Sequence, residues 1–224
     1  MNKALIKNIK LGTKYTAPII GIERLRIGSD GKGVSTLVGF WGCTLRCEYC
    51  LNPQCFDESA GTEYSVRQLY ETVQQDDLYF ISSGGGITFG GGEPLLYTDF
   101  IWAFCKLAPK QWHICAETSL CVKKENIIKA VGCIDTFYVD IKDTNPDIYK
   151  RYTKMDNTQV LENLSLLLSL VSNERVIVRV PYIEGYNTNS DREKSIELLK
   201  KIGVSHLDLF DYDIHARTRK ENKI

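Results

Sequence analysis

The chain has 224 residues, the size of one medium domain, and 43% of them are hydrophobic, which is enough for a folded core. Its 28 basic and 28 acidic side chains cancel, which argues against a broad basic surface for nucleic acid. The first residues carry lysines without an apolar segment, and the longest apolar run, 164–171, is too short to cross a bilayer. We therefore expect a cytoplasmic protein without nucleic-acid or membrane partners.

Strand-like and helix-like segments alternate along the chain. Strands are predicted where short apolar runs stand between turn residues, at Ser35–Phe40, Ile87–Phe89, Trp112–Ala116, Phe137–Ile141, Arg175–Val180 and Leu207–Phe210. Apolar residues at helical spacing predict helices between them, the first over Ser65–Gln75. Three helix starts carry capping residues, which are Ser65 with Gln68, Asn145 with Pro146, and Ser190 with Glu193.

This alternation predicts an α/β fold with a parallel sheet that is covered by helices. Six strands are too few for the closed eightfold barrel, so we predict a partial, open (β/α)6-type TIM barrel. We assign residues 1–224 to one domain, with a lead-in at 1–33, the barrel core at 34–210 and a tail at 211–224. Ligand-binding groups of such folds lie beyond the carboxyl ends of the strands.

Four of the eight cysteines lie between Cys43 and Cys55, and Cys43, Cys47 and Cys50 have the spacing CxxxCxxC. In a chain without a secretory signal, such a group is more often metal-binding or catalytic than disulfide-bonded. Three thiolates can hold three irons of a 4Fe–4S cluster and leave the fourth iron open to a ligand. One alternative is a zinc site completed by Cys55, although structural zinc prefers paired CxxC-like motifs and we find no second pair. The other alternative is loop cysteines without any ligand, and we interpret Cys55 as structural or incidental.

The segment FWGCTLRCEYCLNP at 40–53 resembles the cluster loop of radical S-adenosylmethionine (SAM) enzymes, and in particular that of the activating enzymes of glycyl radical enzymes. Other stretches resemble the same family in the same order, which makes the match specific. They are DGKG at 30–33, GGGITFGGGEPLL at 84–96, Glu117-Thr118-Ser119, Asp140-Ile141-Lys142, and Arg179-Val180-Pro181 followed by Gly185-Tyr186-Asn187.

The resemblance implies that a 4Fe–4S cluster on the three cysteines binds SAM at its open iron. The residues implied to bind this cofactor are Tyr49, Gly91, Gly92, Glu93, Glu117, Asp140, Lys142 and Arg179. Tyr49 is expected to contact the adenine, the Gly91–Glu93 run to accept from the SAM ammonium, and Lys142 to neutralise its carboxylate.

Several of these positions have ordinary alternatives. Glu117, Thr118 and Asp140 are implied to form an oxygen-rich pocket, which holds a small monovalent cation in some activating enzymes; strand-end polar capping explains them equally well. Arg179 either reaches the SAM carboxylate or the substrate backbone, or belongs to a buried salt bridge. Without the family match, Lys142 would be interpreted as a solvated surface lysine.

By resemblance, we expect a radical SAM oxidoreductase that cleaves SAM reductively to a 5′-deoxyadenosyl radical and makes a glycyl radical on a partner enzyme. A donor of flavodoxin or ferredoxin type would supply the electron, and no side chain would act as acid, base or nucleophile. One alternative is a radical SAM enzyme for a peptide or small molecule, as in 7-carboxy-7-deazaguanine synthase. Another is a non-catalytic iron–sulfur electron carrier.

The sequence departs from the activating enzymes at four positions. Lys32 replaces a proline, Ser35 an arginine, Gly90 a serine, and Asp213 the histidine that follows the last strand. Because some of these positions are expected to face ligand or protein substrate, the departures leave the identity of the substrate open.

Overall fold

The computed structural model describes residues 15–28 and 30–212. Its strands are Thr16–Ile27 (β1), Val34–Phe40 (β2), Thr62–Ser65 (β3), Gly86–Gly91 (β4), His113–Thr118 (β5), Thr136–Asp140 (β6), Val176–Tyr182 (β7) and Leu207–Asp211 (β8). They form one sheet in the order β3-β1-β2-β4-β5-β6-β7-β8. Because β3 and β8 are the two edges of this order, the sheet does not close on itself.

The six predicted strands form the parallel part of the sheet. Strand β2 pairs with β4, and β4 to β8 pair in sequence, each in parallel register. This arrangement confirms the prediction of a partial, open (β/α)6-type barrel.

The structure adds two antiparallel strands that the sequence analysis missed. Part of the predicted lead-in is β1, which pairs with β2 on one side and with β3 on the other. The second half of β1 is largely exposed and carries charged side chains, so it has no apolar run to mark it as a strand. Its register shifts between Glu23 and Arg26, where Leu25 adopts a φ of 56°.

Helices cover the outer face of the sheet. They are Val66–Val73 (α1), Asp77–Ser83 (α2), Thr98–Leu107 (α3), Lys124–Ala130 (α4), Pro146–Thr153 (α5), Thr158–Leu170 (α6) and Asn189–Ile202 (α7), with short 3₁₀ turns at Pro53–Phe56, Gln74–Asp76, Pro94–Tyr97 and Asn173–Arg175. The helix predicted over Ser65–Gln75 ends at Val73, and α2 was not predicted. Within the described ranges, no helix is long and apolar enough to cross a membrane.

Two of the three predicted helix caps are confirmed. Ser65 and Gln68 form both bonds of a capping box, and the side chain of Asn145 accepts from the backbone of α5. The cap predicted for the last helix was wrong, because Thr188 is extended and forms the box with Asp191. Ser190 therefore lies inside the first turn of α7.

Strand side chains alternate between a helix-covered face and an inner face. Phe40, Phe89 and Phe137 are fully buried in the core under the helices, and the rings of Phe89 and Phe104 meet edge to face at 5.5 Å. Residues of the other parity, such as Glu117, point to the inner face of the barrel, where they line a cavity.

Candidate active site

A cavity of about 410 Å³ lies at the carboxyl ends of the parallel strands. All the predicted site residues except Tyr49 line it, namely Cys43, Cys47, Cys50, Gly91, Gly92, Glu93, Glu117, Asp140, Lys142 and Arg179. These residues come from five separate stretches of the chain, and the curvature of the sheet brings them to one space.

The three cysteines lie on the loop that follows β2. Backbone bonds hold this loop to the end of α5, where the Arg46 amide donates to the Thr153 carbonyl at 2.9 Å and the Glu48 amide to that of Tyr152 at 3.1 Å. Burial raises the pKa of Cys43 to about 12 and that of Cys47 to about 11. Thiolates so placed need a positively charged ligand, and an iron–sulfur cluster is one that three cysteines can hold.

The alternative of a single metal ion, such as zinc, bound by the loop gains no support from the structure. Across residues 15–28 and 30–212, no three His, Cys, Asp or Glu side chains come close enough together to hold one metal ion. Thiolates that bind different irons of a cluster do not have to meet around one ion. Cys55 is buried behind the loop, and the pKa of its thiol is raised because it hydrogen-bonds to Cys50 and is shielded from water.

The glycines at the end of β4, Gly91 and Gly92, pack directly against the base of the cluster loop. The Gly92 amide donates to the Phe40 carbonyl at 2.9 Å, and the Glu93 amide donates to the Gly42 carbonyl at 2.8 Å. A Cβ atom on Gly92 would lie 2.0 Å from the Gly42 oxygen. Gly91 has a φ of +86°, and a Cβ there would lie 2.6 Å from the Cα of Gly39. Glycine is therefore required here for backbone-to-backbone packing.

The carboxylate of Glu93 is buried and accepts hydrogen bonds from the residues around it. It is 1% exposed and accepts from the Thr118 hydroxyl at 2.7 Å, from the Ser119 amide and hydroxyl at 2.9 and 2.7 Å, and from the Leu95 amide at 3.1 Å. Burial raises its pKa, while these donors oppose that rise. Two donors on each oxygen use the carboxylate's usual acceptor positions. Contact between Glu93 and the SAM ammonium stays a prediction.

Four charged side chains form a balanced network at the ends of β5, β6 and β7. Arg179 donates to Glu117 at 2.8 Å and to Asp140 at 2.7 Å, and Lys142 donates to the other oxygen of Asp140 at 3.1 Å. Burial raises the pKa of Glu117. Burial acts in the same direction on Asp140, but Lys142 and Arg179 outweigh it and lower the pKa of that carboxyl.

This network bears on the alternatives for its members. The side chain of Lys142 is only 13% exposed, so it is not a solvated surface lysine. Arg179 belongs to a buried salt bridge, and its contact with the SAM carboxylate or the substrate backbone stays a prediction. Because Glu117 and Asp140 already share the Arg179 guanidinium, the predicted monovalent cation gains no support from this geometry.

Tyr49 is not among the residues that line the cavity and lies in an aromatic cluster. Its ring centroid lies 6.2 Å from that of Tyr152, 5.7 Å from that of Tyr186 and 6.4 Å from that of Tyr212. The Tyr212 hydroxyl donates to the Tyr49 carbonyl, and the Tyr152 and Tyr212 side chains themselves line the cavity. Contact between Tyr49 and the adenine stays a prediction, and Asp213 lies outside the described residues.

Several lining residues were missed by the sequence analysis. Asn52 donates to the Gly91 carbonyl at 3.2 Å, which ties the end of the cluster loop to the glycine run. Phe210 lines the cavity from β8 and Tyr212 from the residue after it, and their place at or just beyond the end of the last predicted strand was the available signal. Glu23 and Arg26 reach the same cavity from β1, a strand that carried no such signal.

Residues 39–199 match the family described as the Radical SAM superfamily. Because this match spans most of the chain, the chain belongs to the radical SAM superfamily, whose members use a 4Fe–4S cluster and SAM. The chain is thus an enzyme of this superfamily, as the cluster-loop resemblance implied.

Relatives of the chain include activating enzymes. The chain is 27% identical to trans-4-hydroxy-L-proline dehydratase activating enzyme from Clostridioides difficile, across 87% of this chain and 83% of that protein. It is 28% identical to pyruvate formate-lyase 1-activating enzyme from Escherichia coli strain K12, across 82% of this chain and 76% of that protein.

Solved structures of low identity share the fold. Streptococcus suis SuiB bound to precursor peptide SuiA superposes with a TM-score of 0.60 at 11% identity, over 76% of this chain and 37% of that one. A radical SAM methyltransferase from Sphaerobacter thermophilus gives 0.58 at 15% identity, over 93% of this chain and 71% of that one.

Proposed function

We propose that this chain is an activating enzyme that places a radical on a glycine of a partner enzyme. The observation that carries the proposal is the shared cavity, because the three thiols of the cluster loop and the Lys142–Asp140–Arg179 network line the same space. The relatives that are activating enzymes support the further proposal that the substrate is a protein.

Cys43, Cys47 and Cys50 are assigned as the ligands of three irons, with the fourth iron left for SAM. When bound and reduced, the cluster supplies the electron that splits SAM into methionine and a 5′-deoxyadenosyl radical, which takes a hydrogen atom from the substrate. The chain's own task is to orient the ligand and exclude water.

The cavity combines two kinds of surface that suit SAM. Lys142 and Arg179 offer cationic groups to a carboxylate, and Asp140 accepts hydrogen bonds from both. Tyr152 and Tyr212, which also line the cavity, provide aromatic surface for a nucleoside. A ligand with an amino-acid end and a purine end matches this distribution.

The unclosed sheet supports a macromolecular substrate. A loop that carries a glycine can enter beside β3 or β8, the edge strands of the described sheet, and glycine brings no side chain that would clash near the bound ligand. The position of the loop then selects the hydrogen, since abstraction requires the reacting atoms near contact distance.

The electron donor is proposed to be a protein of flavodoxin or ferredoxin type, and donor and enzyme are placed in the cytoplasm. The cysteines, all of which lie in the described part of the chain, form no disulfide, which suits a reducing compartment. No nucleic-acid or membrane partner is proposed.

Anaerobic reconstitution tests the proposal in two stages. Iron and sulfide are added, then SAM and dithionite, and 5′-deoxyadenosine is measured, with the Cys47→Ala protein as the control. Trans-4-hydroxy-L-proline dehydratase and pyruvate formate-lyase are then supplied, together with any glycyl radical protein encoded beside the gene.

Electron paramagnetic resonance should show a glycyl doublet with one of these proteins. Deoxyadenosine without a protein radical would favour the peptide or small-molecule alternative. A reducible cluster without SAM cleavage would favour the electron carrier.

A further inference from the structure

A buried hydroxyl group near the cluster loop has no role in the site described so far. Tyr149 lies on α5 and is 0% exposed, and its hydroxyl has no hydrogen-bond partner among the residues that the structure describes. Tyr149 does not line the cavity, so a ligand in the cavity does not provide that partner. A buried hydroxyl without a partner destabilises a protein, whereas phenylalanine would fill nearly the same volume without that penalty. The tyrosine therefore indicates an acceptor that is not one of the chain's own side chains in this state.

The helix that carries Tyr149 is bonded to the cluster loop. The side chains of Tyr149, Tyr152 and Thr153 are buried, and their spacing of three and four residues places them on one face of α5. The amides of the two residues on either side of Cys47 donate to the Tyr152 and Thr153 carbonyls. Tyr149 thus lies one helical turn before the point where the loop that carries Cys47 meets α5.

Several ionisable groups are close enough to act on the Tyr149 hydroxyl. Burial is the largest cause that raises its pKa, and the charges of neighbouring groups raise it further. In decreasing order of effect, these groups are Cys121, Cys47, Glu93 and Cys43. Two of the three cysteines of the cluster loop are therefore neighbours of this hydroxyl.

The other two neighbours are poor acceptors for it. Each oxygen of the Glu93 carboxylate already accepts two hydrogen bonds. Cys121 is 4% exposed and burial raises its pKa, so it stays a neutral thiol, which is a weak acceptor. Cys43 and Cys47 differ from Cys121 because a cysteine that binds iron is a thiolate. A thiolate is the stronger acceptor because it is charged.

We propose that the Tyr149 hydroxyl donates a hydrogen bond to the sulfur of Cys47 in the holoenzyme and so raises the reduction potential of the cluster. Cys47 is favoured over Cys43 because the residues that flank it are the ones bonded to α5. Reduction adds one electron, and therefore one negative charge, without transfer of a proton. A donor to a ligand sulfur stabilises the more negative state, since hydrogen bonds to the sulfurs help to set the potential of such clusters.

The inference rests on the proposed ligation of the cluster by the three cysteines. It does not depend on the identity of the substrate, because it concerns only the step in which the cluster accepts an electron. It assigns Tyr149 to the tuning of that step, which no residue of the cavity lining has been given.

Tyr70 on α1 provides a matched control. Its ring is partly buried and stacks on Trp112, with ring centroids 5.9 Å apart. Trp112 immediately precedes β5, so this pair lies at the opposite end of the parallel strands from the cluster loop. Tyr70→Phe therefore removes one hydroxyl from a packed tyrosine without a change near the cluster.

The first measurement is the reduction potential of the reconstituted holoenzyme without SAM. Dithionite supplies the electrons, and electron paramagnetic resonance quantifies the reduced cluster over a series of poised potentials. In Tyr149→Phe the equilibrium constant for reduction should fall about threefold or more, which lowers the potential by about 28 mV, since tenfold is about 59 mV for one electron. Tyr70→Phe should have the wild-type potential.

The second measurement distinguishes this hydrogen bond from a purely structural role. Resonance Raman spectra of the stretches between iron and cysteine sulfur are recorded in light and in heavy water. A hydroxyl that donates to a ligand sulfur makes one of these frequencies sensitive to deuterium. The isotope shift should be present in the wild type and in Tyr70→Phe, and it should be reduced in Tyr149→Phe. A change in packing alone would leave it in place.

A second pair of variants is used if Tyr149→Phe takes up less iron than the wild type. Tyr149→His keeps an N–H donor on an aromatic ring, whereas Tyr149→Met has no donor. The equilibrium constant for reduction should be about threefold lower in Tyr149→Met than in Tyr149→His. Equal potentials in these two variants would overturn the inference.

The inference is also overturned if Tyr149→Phe keeps either the wild-type potential or the full isotope shift, as it would if a buried water were the acceptor. Failure of the proposed ligation has a different signature, because Cys47→Ala would then retain the cluster. If the potential and the isotope shift depend on Tyr149 but no glycyl radical forms on any partner, the inference stands and the proposed substrate does not.

Discussion

Replacing Gly92 by alanine tests how the glycine run supports the cluster loop. A Cβ atom at this position would lie 2.0 Å from the carbonyl oxygen of Gly42 and 2.9 Å from that of Phe40. Both are backbone atoms, so no side-chain rotation relieves the overlap. The run or the loop must move, and Gly42 immediately precedes Cys43.

The expected cost follows from these contacts. Overpacking against rigid surroundings costs about 1–3 kcal/mol. The shift also breaks two backbone hydrogen bonds, from the Gly92 amide to Phe40 and from the Glu93 amide to Gly42, at about 1 kcal/mol each. The free energy of unfolding should therefore fall by about 3–5 kcal/mol, which for a chain of this size lowers Tm by roughly 6–20 °C.

The assay combines differential scanning calorimetry with iron analysis after anaerobic reconstitution. Gly90→Ala is the control, because its Cβ would approach only side-chain atoms, Oε2 of Glu117 at 3.1 Å and Cδ1 of Leu37 at 3.2 Å. Gly92→Ala should lose both stability and iron, and Gly90→Ala should lose little of either. A Gly92→Ala protein with wild-type Tm and full iron content would refute the reasoning.

Two further predictions concern the cofactor ligands. Cys47→Ala should abolish the 4Fe–4S cluster while Cys55→Ala keeps it, as measured by iron content and the visible spectrum; a cluster retained by Cys47→Ala would contradict the assigned ligation. Lys142→Ala should lower SAM affinity by about one to two decades, since a charge-assisted contact is worth ~1.5–3 kcal/mol, and should spare the cluster. Exposed Lys150→Ala is its control in the same anaerobic titration, and equal SAM affinity of the two variants would return Lys142 to a purely structural role.

Much of the fold could be predicted from the sequence because it depends on patterns among residues close together in the chain. The parallel strands are short apolar runs, and helix starts such as Ser65 with Gln68 depend on residues a turn apart. Strand β1 was not predicted, because it is polar and irregular and is stabilised by pairing with its neighbouring strands rather than by an apolar pattern of its own. The cap of α7 was predicted at the wrong residue. Thr188 with Asp191 and Ser190 with Glu193 have the same spacing, and only the path of the chain into the helix distinguishes the two pairs.

For the site, the sequence by itself determined which chemical groups are present and at which strand ends they stand. The cysteine loop, the glycine run, Lys142 and Arg179 were all found that way. Only the tertiary structure decided their partners, because the donors to Glu93 and the carboxylates around Arg179 come from distant strands. It also brought Arg26 to the cavity, since the curvature of the sheet determines which inner faces meet, and that curvature depends on all the strands together.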